Sequence, residues 1–204
     1  MSIKCSDGIL LVVKRKKPSS IIISSTSNVN NINSNICIGY SGLFFDASVL
    51  LRLARQVAID YKNNFNDDIK LLVLIEKLSV LFHSLTMKSK SRPLGIELVL
   101  LGYDDDVGYQ VYTINPDGSY YSWNAIAIGG DNTDRITQTL MKYITTHTND
   151  NEDNNNSNSI ENLLKKINMI NLFDDNNDST SSSEVDVYTG TLDSNNKLQW
   201  KLRK

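Results

Sequence analysis

The sequence contains no apolar stretch close to the about 20 residues that a membrane-spanning helix requires. Near the N-terminus, the apolar run at residues 9–13 is short and is followed by the basic residues 14–17. A secretory signal has a longer apolar core, and its basic residues precede that core. The sequence therefore predicts neither a signal peptide nor a membrane-spanning segment.

Cysteine and histidine are scarce, with two residues of each type among 204. Cys5 and Cys37 show no Cys-x-x-Cys or metal-ligand spacing, which predicts two free thiols and no disulfide framework. His83 and His147 have no second ligand or base at a useful spacing. A glycine-rich phosphate loop is also lacking. The sequence thus predicts no cofactor, no metal and no catalytic residue.

An excess of charge of either sign is missing too, because 21 Lys and Arg residues face 23 Asp and Glu residues. The net charge of −2 favours neither nucleic acid nor an anionic membrane as a partner. The basic residues 14–17 have no interleaved aromatic side chains and are interpreted as a solvated strand end. The acidic residues 104–106 lack the 12-residue pattern of a calcium loop and are interpreted as a solvated turn.

What the chain does contain is enough apolar residues, 40 % of the total, for the core of one domain. In the first half, spacing predicts strands at residues 9–13, 21–23 and 36–40. Two helices follow, because apolar residues recur every three and four positions at residues 49–61 and about 68–85. Asp46 stands where an N-cap is expected, and Val49 and Leu53 belong to the apolar face of the first helix.

The second half returns to the period of two that is typical of strands. Antiparallel strands are predicted at residues 96–101, 110–114, 120–123 and 125–128, followed by a helix at 133–145, a short helix at 160–170 and terminal strands at 185–188 and 197–202. The segments at about 148–159 and 174–183 are rich in Asn, Ser and acidic residues and are interpreted as low-complexity insertions. We therefore predict one domain over residues 1–204, with two antiparallel sheets covered by helices.

Three segments, in this order, resemble the alpha-type subunits of the proteasome core particle. The first is Ile-Cys-Ile-Gly-Tyr-Ser-Gly at residues 36–42, which leads through Asp46 into a helix with Ala-Arg at 54–55. The second is Arg-Pro-Leu-Gly at 92–95, followed by an apolar strand that ends in Gly-Tyr-Asp. The third is Asn-Pro-Asp-Gly-Ser-Tyr at 115–120, followed by Ala-Ile-Ala-Ile-Gly. The clear match covers about residues 36–143, and its Tyr-Ser-Gly turn resembles the type-2 subunit.

The resemblance implies an α+β fold, the four-layer αββα sandwich of N-terminal-nucleophile hydrolases. It also implies a non-catalytic member of the alpha ring that supports assembly and substrate gating in ubiquitin-dependent protein degradation. The expected partners are other proteasome alpha and beta subunits, with the regulatory particle or activators at the alpha-ring face. The expected location is the cytoplasm and the nucleus.

The chain departs from the family at two places. Alpha subunits begin with a segment of about thirty residues that this sequence lacks before residue 1, so we expect a truncated or divergent member, or a start that lies upstream. The family also has a lysine that holds the carboxylates of activators. The matching stretch here is residues 28–31, and no lysine occurs between Lys17 and Lys62.

The alternative is a catalytic, threonine-type beta subunit. That activity needs an N-terminal threonine as nucleophile, with its own amine as base, and a nearby lysine and aspartate. This chain opens Met1-Ser2-Ile3, its aspartate position falls on Lys14 or Arg15, and its lysine position falls within residues 27–31. The sequence therefore predicts a non-catalytic chain, and a mature N-terminus at a threonine would be the signature of the alternative.

Overall fold

The structure is a computed structural model that describes residues 1–16, 28–130, 132–148, 160, 183–193 and 197–203. The predicted strand at residues 21–23 lies outside the described residues. So do the two low-complexity segments, except for their end residues Thr148 and Ser183, and the predicted helix at 160–170, except for Ile160.

The first of two antiparallel sheets joins the two ends of the chain. Its strands lie in the order β10, β9, β2, β1, β8, with the bounds β1 (Ser2–Lys4), β2 (Ile9–Lys16), β8 (Ala125–Ile126), β9 (Ser183–Leu192) and β10 (Leu198–Arg203). The predicted strands at residues 9–13, 185–188 and 197–202 are confirmed as parts of β2, β9 and β10. Asp7 and Gly8 form the turn between β1 and β2, as predicted, and the N–H of Cys5 donates to the carbonyl of Gly8.

The second sheet is built from the middle of the chain. Its strands lie in sequence order: β3 (Val29–Asn31), β4 (Ile36–Gly42), β5 (Ile96–Asp104), β6 (Gly108–Ile114) and β7 (Tyr120–Ser122). The predicted strands are confirmed here, with one correction. The strand at 125–128 was expected to continue this sheet, but Ala125 and Ile126 pair with β1 of the first sheet. The chain therefore crosses from one sheet to the other between β7 and β8.

The helices are α1 (Phe44–Phe65), α2 (Leu71–Met87) and α3 (Thr133–Thr148). The prediction that Asp46 caps α1 is wrong, because Leu43 is the N-cap residue and makes no side-chain capping bond. Asp46 lies instead in the first turn of the helix. A carboxylate there is still favourable, since the N-terminal end of a helix carries a partial positive charge.

Apolar side chains form three clusters that hold the sheets and helices together. The first cluster joins α1 and α2 to the second sheet and includes Leu50, Phe82 and Leu98. The second joins β1, β2 and β8 to α3. The third lies between the sheets, because it combines Ile9 and Leu11 of β2 with residues of β4, β5 and β6. Alternation along β5 explains two of the clusters, since Leu98 faces the helices and its neighbour Val99 faces the other sheet.

The face that α1 buries differs from the predicted one. The buried residues are Asp46, Ala47, Leu50, Leu51, Ala54 and Ala58. Val49 and Leu53 were predicted on the apolar face, but they are 57 % and 41 % exposed. The buried side therefore combines three alanines with Leu50 and Leu51, while Val49 and Leu53 lie on the exposed side.

Candidate functional site

The position at which a threonine-type peptidase would carry its nucleophile lies at the start of β1. The Met1 amine is buried and donates to the carbonyl of Val12 over 2.9 Å, and burial lowers its pKa to about 5. Ser2 is 1 % exposed, and its Oγ has no hydrogen-bond partner. Because Ser2 pairs with Leu11, its side chain faces the apolar cluster between the sheets. A serine enclosed in this way has no room for a peptide substrate.

The companion residues of a peptidase site are not brought to Ser2. Lys14, at the expected aspartate position, lies on β2 three residues beyond Leu11, which is a distance of about 10 Å along a strand. The expected lysine position falls within residues 27–31, of which the structure describes Asn28 and the three residues of β3, all of them valine or asparagine. The described residues therefore place neither a lysine nor an aspartate where the reaction would need it.

The other polar candidates also have ordinary structural settings. His83 lies on the exposed side of α2, and the side chain of His147 lies outside the described residues. In the acidic turn after β5, the Nζ atom of Lys70 lies 2.7 Å from Asp106 Oδ2 and 3.6 Å from Asp104 Oδ2. Lys70 lowers the pKa of Asp106. Within the part of the chain that the structure describes, no three His, Cys, Asp or Glu side chains are grouped to hold a metal ion.

A polar cluster links the start of α1 to the segment before β5. Both Nη atoms of Arg92 donate to the Asp46 carboxylate, over 2.7 and 2.8 Å. The N–H of Gly95 donates to the same carboxylate over 2.9 Å. These bonds lower the pKa of Asp46, with the Arg92 side chain as the main cause. This pair could not be predicted from the sequence, since its members are 46 positions apart and no local pattern connects them.

An isolated acid lies beside this cluster, at the start of β5. Glu97 pairs with Ser41 of β4 and is partly buried. Burial raises the pKa of Glu97, and the nearby backbone of Gly129 opposes this effect only in part. A single acid within the otherwise apolar residues 96–101 was the sequence signal that could have identified this position.

Replacement of Glu97 by glutamine is expected to stabilise the purified chain at neutral pH. Since the pKa of Glu97 is raised in the folded state, its contribution to stability is fully present below the ordinary pKa of glutamate. That contribution is lost as the pH rises through the folded-state pKa. Glutamine keeps the shape and polarity of the side chain without the charge. The check is thermal unfolding of both proteins from pH 4 to 8, and a melting temperature that is lower for Glu97→Gln at pH 8 would contradict this account.

Large apolar side chains are exposed along one side of α1. Phe45, Val49 and Leu53, which we name the apolar stripe, are 81 %, 57 % and 41 % exposed. They are spaced by four residues and therefore lie on one face of the helix. Leu43 and Phe44 extend this surface at the N-terminal end and are 54 % and 46 % exposed. Exposed apolar surface of this extent is typical of a protein–protein contact.

None of the described helices combines the length and the apolar character needed to cross a membrane. The apolar stripe shares the exposed surface of α1 with polar residues. Arg52, Arg55, Gln56 and Asp60 lie among its exposed residues.

Comparison with known proteins agrees with the motifs. The sequence model of the family described as "Proteasome subunit" matches residues 1–189. The chain is 36 % identical over 145 residues to proteasome subunit alpha type-3 of Saccharomyces cerevisiae, an alignment that covers 70 % of this chain and 56 % of that protein. It is 31 % identical to proteasome subunit alpha type-2 of Dictyostelium discoideum, over 63 % of this chain and 55 % of that protein.

A third relative, proteasome subunit alpha type-2 of Oryza sativa subsp. japonica, is 34 % identical over 63 % of this chain and 55 % of that protein. The chain thus spans a little more than half the length of the curated relatives it matches. The relatives include both type-3 and type-2 subunits, so the likeness of the Tyr-Ser-Gly turn to type 2 does not fix the type. The family match covers most of the chain and includes the three motifs, and the chain therefore belongs to the proteasome subunit family.

Proposed function

We propose that this chain is a non-catalytic alpha-type subunit of the proteasome core particle. Its role would be structural, in ring assembly and in substrate gating during ubiquitin-dependent protein degradation. The observation that carries the proposal is the match of residues 1–189 to the proteasome subunit family, and the apolar stripe on α1 supplies a surface suited to contact with another protein. The alpha-type names of the similar relatives support the assignment to the alpha ring.

The proposal includes a four-layer αββα sandwich formed by a single domain. Two findings support it. The three apolar clusters lie between α1, α2 and the second sheet, between the two sheets, and between α3 and the first sheet. The first sheet also pairs β2 with β9 over eight residues, which ties the N-terminal and C-terminal parts of the chain into one unit.

The alternative is a catalytic threonine-type subunit, and the setting of Ser2 argues against it. A nucleophile must be reached by its substrate and must lie within hydrogen-bond reach of a base. Ser2 is enclosed between the sheets. Lys14 lies three residues further along β2 than Leu11, the residue that pairs with Ser2. We therefore propose no catalytic residue for this chain.

Neighbouring proteasome subunits are the proposed partners of the apolar stripe. The regulatory particle or activators would approach the alpha-ring face, but without a lysine in residues 28–31 we expect this chain to contribute little to holding their carboxylates. The proposed location follows that of the assembly, in the cytoplasm and the nucleus.

The test is native mass spectrometry of core particles from the source cells, with peptide mapping of the N-terminus of this chain. We expect the chain in stoichiometric amounts and without an N-terminal threonine. A tagged Phe45→Asp, Val49→Asp double variant should enter particles at least about tenfold less than the unaltered chain, because two charges would replace apolar contacts at an interface.

The matched control is Val107→Asp. Val107 is also an exposed apolar residue, at 64 %, but lies in the turn between β5 and β6. Its variant should enter particles as the unaltered chain does. Absence of the unaltered chain from intact particles would refute the proposed function. Equal entry of the double variant and the unaltered chain would show that the apolar stripe does not contribute to the interface.

A further inference from the structure

The exposed side of α1 carries a regularly spaced series of residues, which we name the outer seam. Its members follow one another at intervals of four, three, four and three positions and are Phe45, Val49, Arg52, Gln56 and Ile59. Phe45, Val49 and Ile59 are 81 %, 57 % and 53 % exposed, and the other two are exposed as well. This spacing places the five side chains in one line and is the spacing at which one helix packs lengthwise against another.

The outer seam has apolar residues at both ends and polar residues in its middle. From Phe45 to Ile59 it extends about 21 Å along the helix axis. Arg52 lies midway and carries the only formal charge among the five residues. Exposed apolar residues favour contact with another protein, whereas a polar residue between them fixes the register and the identity of the partner.

Two charged residues beside the outer seam have contacts within the chain. The Arg55 guanidinium donates to the carbonyl of Asn31 over 3.3 Å. The Asp60 carboxylate accepts from the side-chain amide of Gln56 over 2.8 Å. Both contacts can remain when a partner packs on the outer seam, so the charge that this partner meets at the centre is that of Arg52.

A partner that covers the outer seam removes the Arg52 guanidinium from water. Burial of an unpaired charge is costly, and a carboxylate is the group that a guanidinium binds through two parallel hydrogen bonds. A second copy of this chain does not supply that group, because a symmetric pair of α1 helices centred on the outer seam would place Arg52 against Arg52. The charge therefore selects a different protein that carries an Asp or a Glu.

We propose that the outer seam packs lengthwise against a helix of a neighbouring, different protein subunit, and that an Asp or Glu of that helix pairs with Arg52. This inference rests on the proposed function and adds the chemistry of the partner to it. The apolar residues at the two ends supply contact area. The ion pair sets the register of the two helices and excludes partners that present a cation at this position.

The first experiment measures how well charge variants of Arg52 assemble. Tagged Arg52→Gln, Arg52→Glu and unaltered chains are expressed in the source cells, and native mass spectrometry gives the fraction of each in intact core particles. We expect at least about threefold less incorporation for Arg52→Gln and at least about tenfold less for Arg52→Glu, because the second variant places two carboxylates opposite each other. The matched control is Arg135→Glu, since Arg135 is exposed on α3, the helix that covers the first sheet. This control should enter particles as the unaltered chain does.

Thermal unfolding of the purified chains separates assembly from folding. Arg52 is exposed, so its variants should melt at the temperature of the unaltered chain. Equal incorporation of Arg52→Glu and the unaltered chain would overturn the inference and leave the proposed function intact. Absence of the unaltered chain itself from particles would refute the proposed function, and this inference with it.

Chemical cross-linking identifies the group that faces position 52. Arg52→Lys keeps the positive charge and introduces an amine, which a carbodiimide couples to a carboxylate in contact with it. In purified core particles we expect a cross-linked peptide that joins position 52 to an Asp or Glu on a helix of a different subunit. The inference fails if position 52 is cross-linked only to an acid of this chain or to no other subunit. It also fails if Arg52→Lys enters particles as poorly as Arg52→Glu, since these two variants differ in charge.

Discussion

Replacement of Phe82 by alanine is expected to lower the free energy of unfolding by about 3–5 kcal/mol. Phe82 lies on α2, is 0 % exposed and belongs to the cluster between the helices and the second sheet. Removal of the ring loses its transfer free energy and leaves a cavity, because the surrounding strand residues cannot move inward freely. Urea unfolding of the purified proteins, followed by circular dichroism, measures the difference.

The control for this prediction is Met87→Ala on the same helix. Met87 is 74 % exposed at the C-terminal end of α2, so its loss should change the free energy of unfolding by less than about 0.5 kcal/mol. If Phe82→Ala proved as mild as this control, Phe82 would not be enclosed between α2 and the sheet as described. A large change in the denaturant slope would point instead to an altered unfolded state.

Four strands of the second sheet, β4 to β7, could be predicted well from the sequence, whereas β3 was not predicted as a strand. Residues 96–108 combine an apolar run with the turn Asp-Asp-Val-Gly, and the next turn, Asn115 to Gly118, has the strongest local signal in the chain. Gly118 adopts a φ of +90°, as a glycine in such a turn can. These signals are short in range, and the backbone conformation they specify depends little on the rest of the fold.

The order of the strands could not be obtained in the same way. Periodicity shows that residues 125–128 are apolar, but it does not identify their partner. In the structure, β8 pairs with β1, which lies more than 100 residues earlier in the sequence. The helical periodicity of α1 was likewise detected correctly, yet its exposed side was misjudged, since Val49 and Leu53 are as apolar as Leu50 and Leu51. A sequence does not distinguish apolar residues that face the core from those that face another subunit.

The polar contacts of Asp46 could be predicted even less well from the sequence, because they join segments that are far apart in the chain. In the sequence, Asp46 precedes apolar residues at helical spacing, and this position predicts a helix N-cap. Its actual partners, Arg92 and Gly95, lie on the segment that precedes β5. The sequence identified all three residues as parts of two separate motifs. Only the fold shows that the motifs meet, with Asp46 as the contact between them.

Replacement of Asp46 by alanine should therefore be destabilising by about 2–3 kcal/mol. Asp46 is 9 % exposed, and its removal leaves the N–H of Gly95 without its acceptor. Much of the Arg92 guanidinium is in contact with water and can be solvated there, so its loss of a partner contributes less. Chemical denaturation at pH 7 gives the difference, with Asp60→Ala as the control, because Asp60 is an exposed acid on the same helix whose partner is Gln56.

The dependence of this effect on pH distinguishes the carboxylate from a packing defect. The pKa of Asp46 is lowered in the folded state, so its contribution is fully present above the ordinary pKa of aspartate. It is lost as the pH falls through the lower folded-state pKa. The difference between the unaltered chain and Asp46→Ala should therefore be constant from pH 5 to 8 and should shrink in strong acid. A difference that persists unchanged in strong acid would mean that the volume of Asp46, and not its charge, joins α1 to the start of β5.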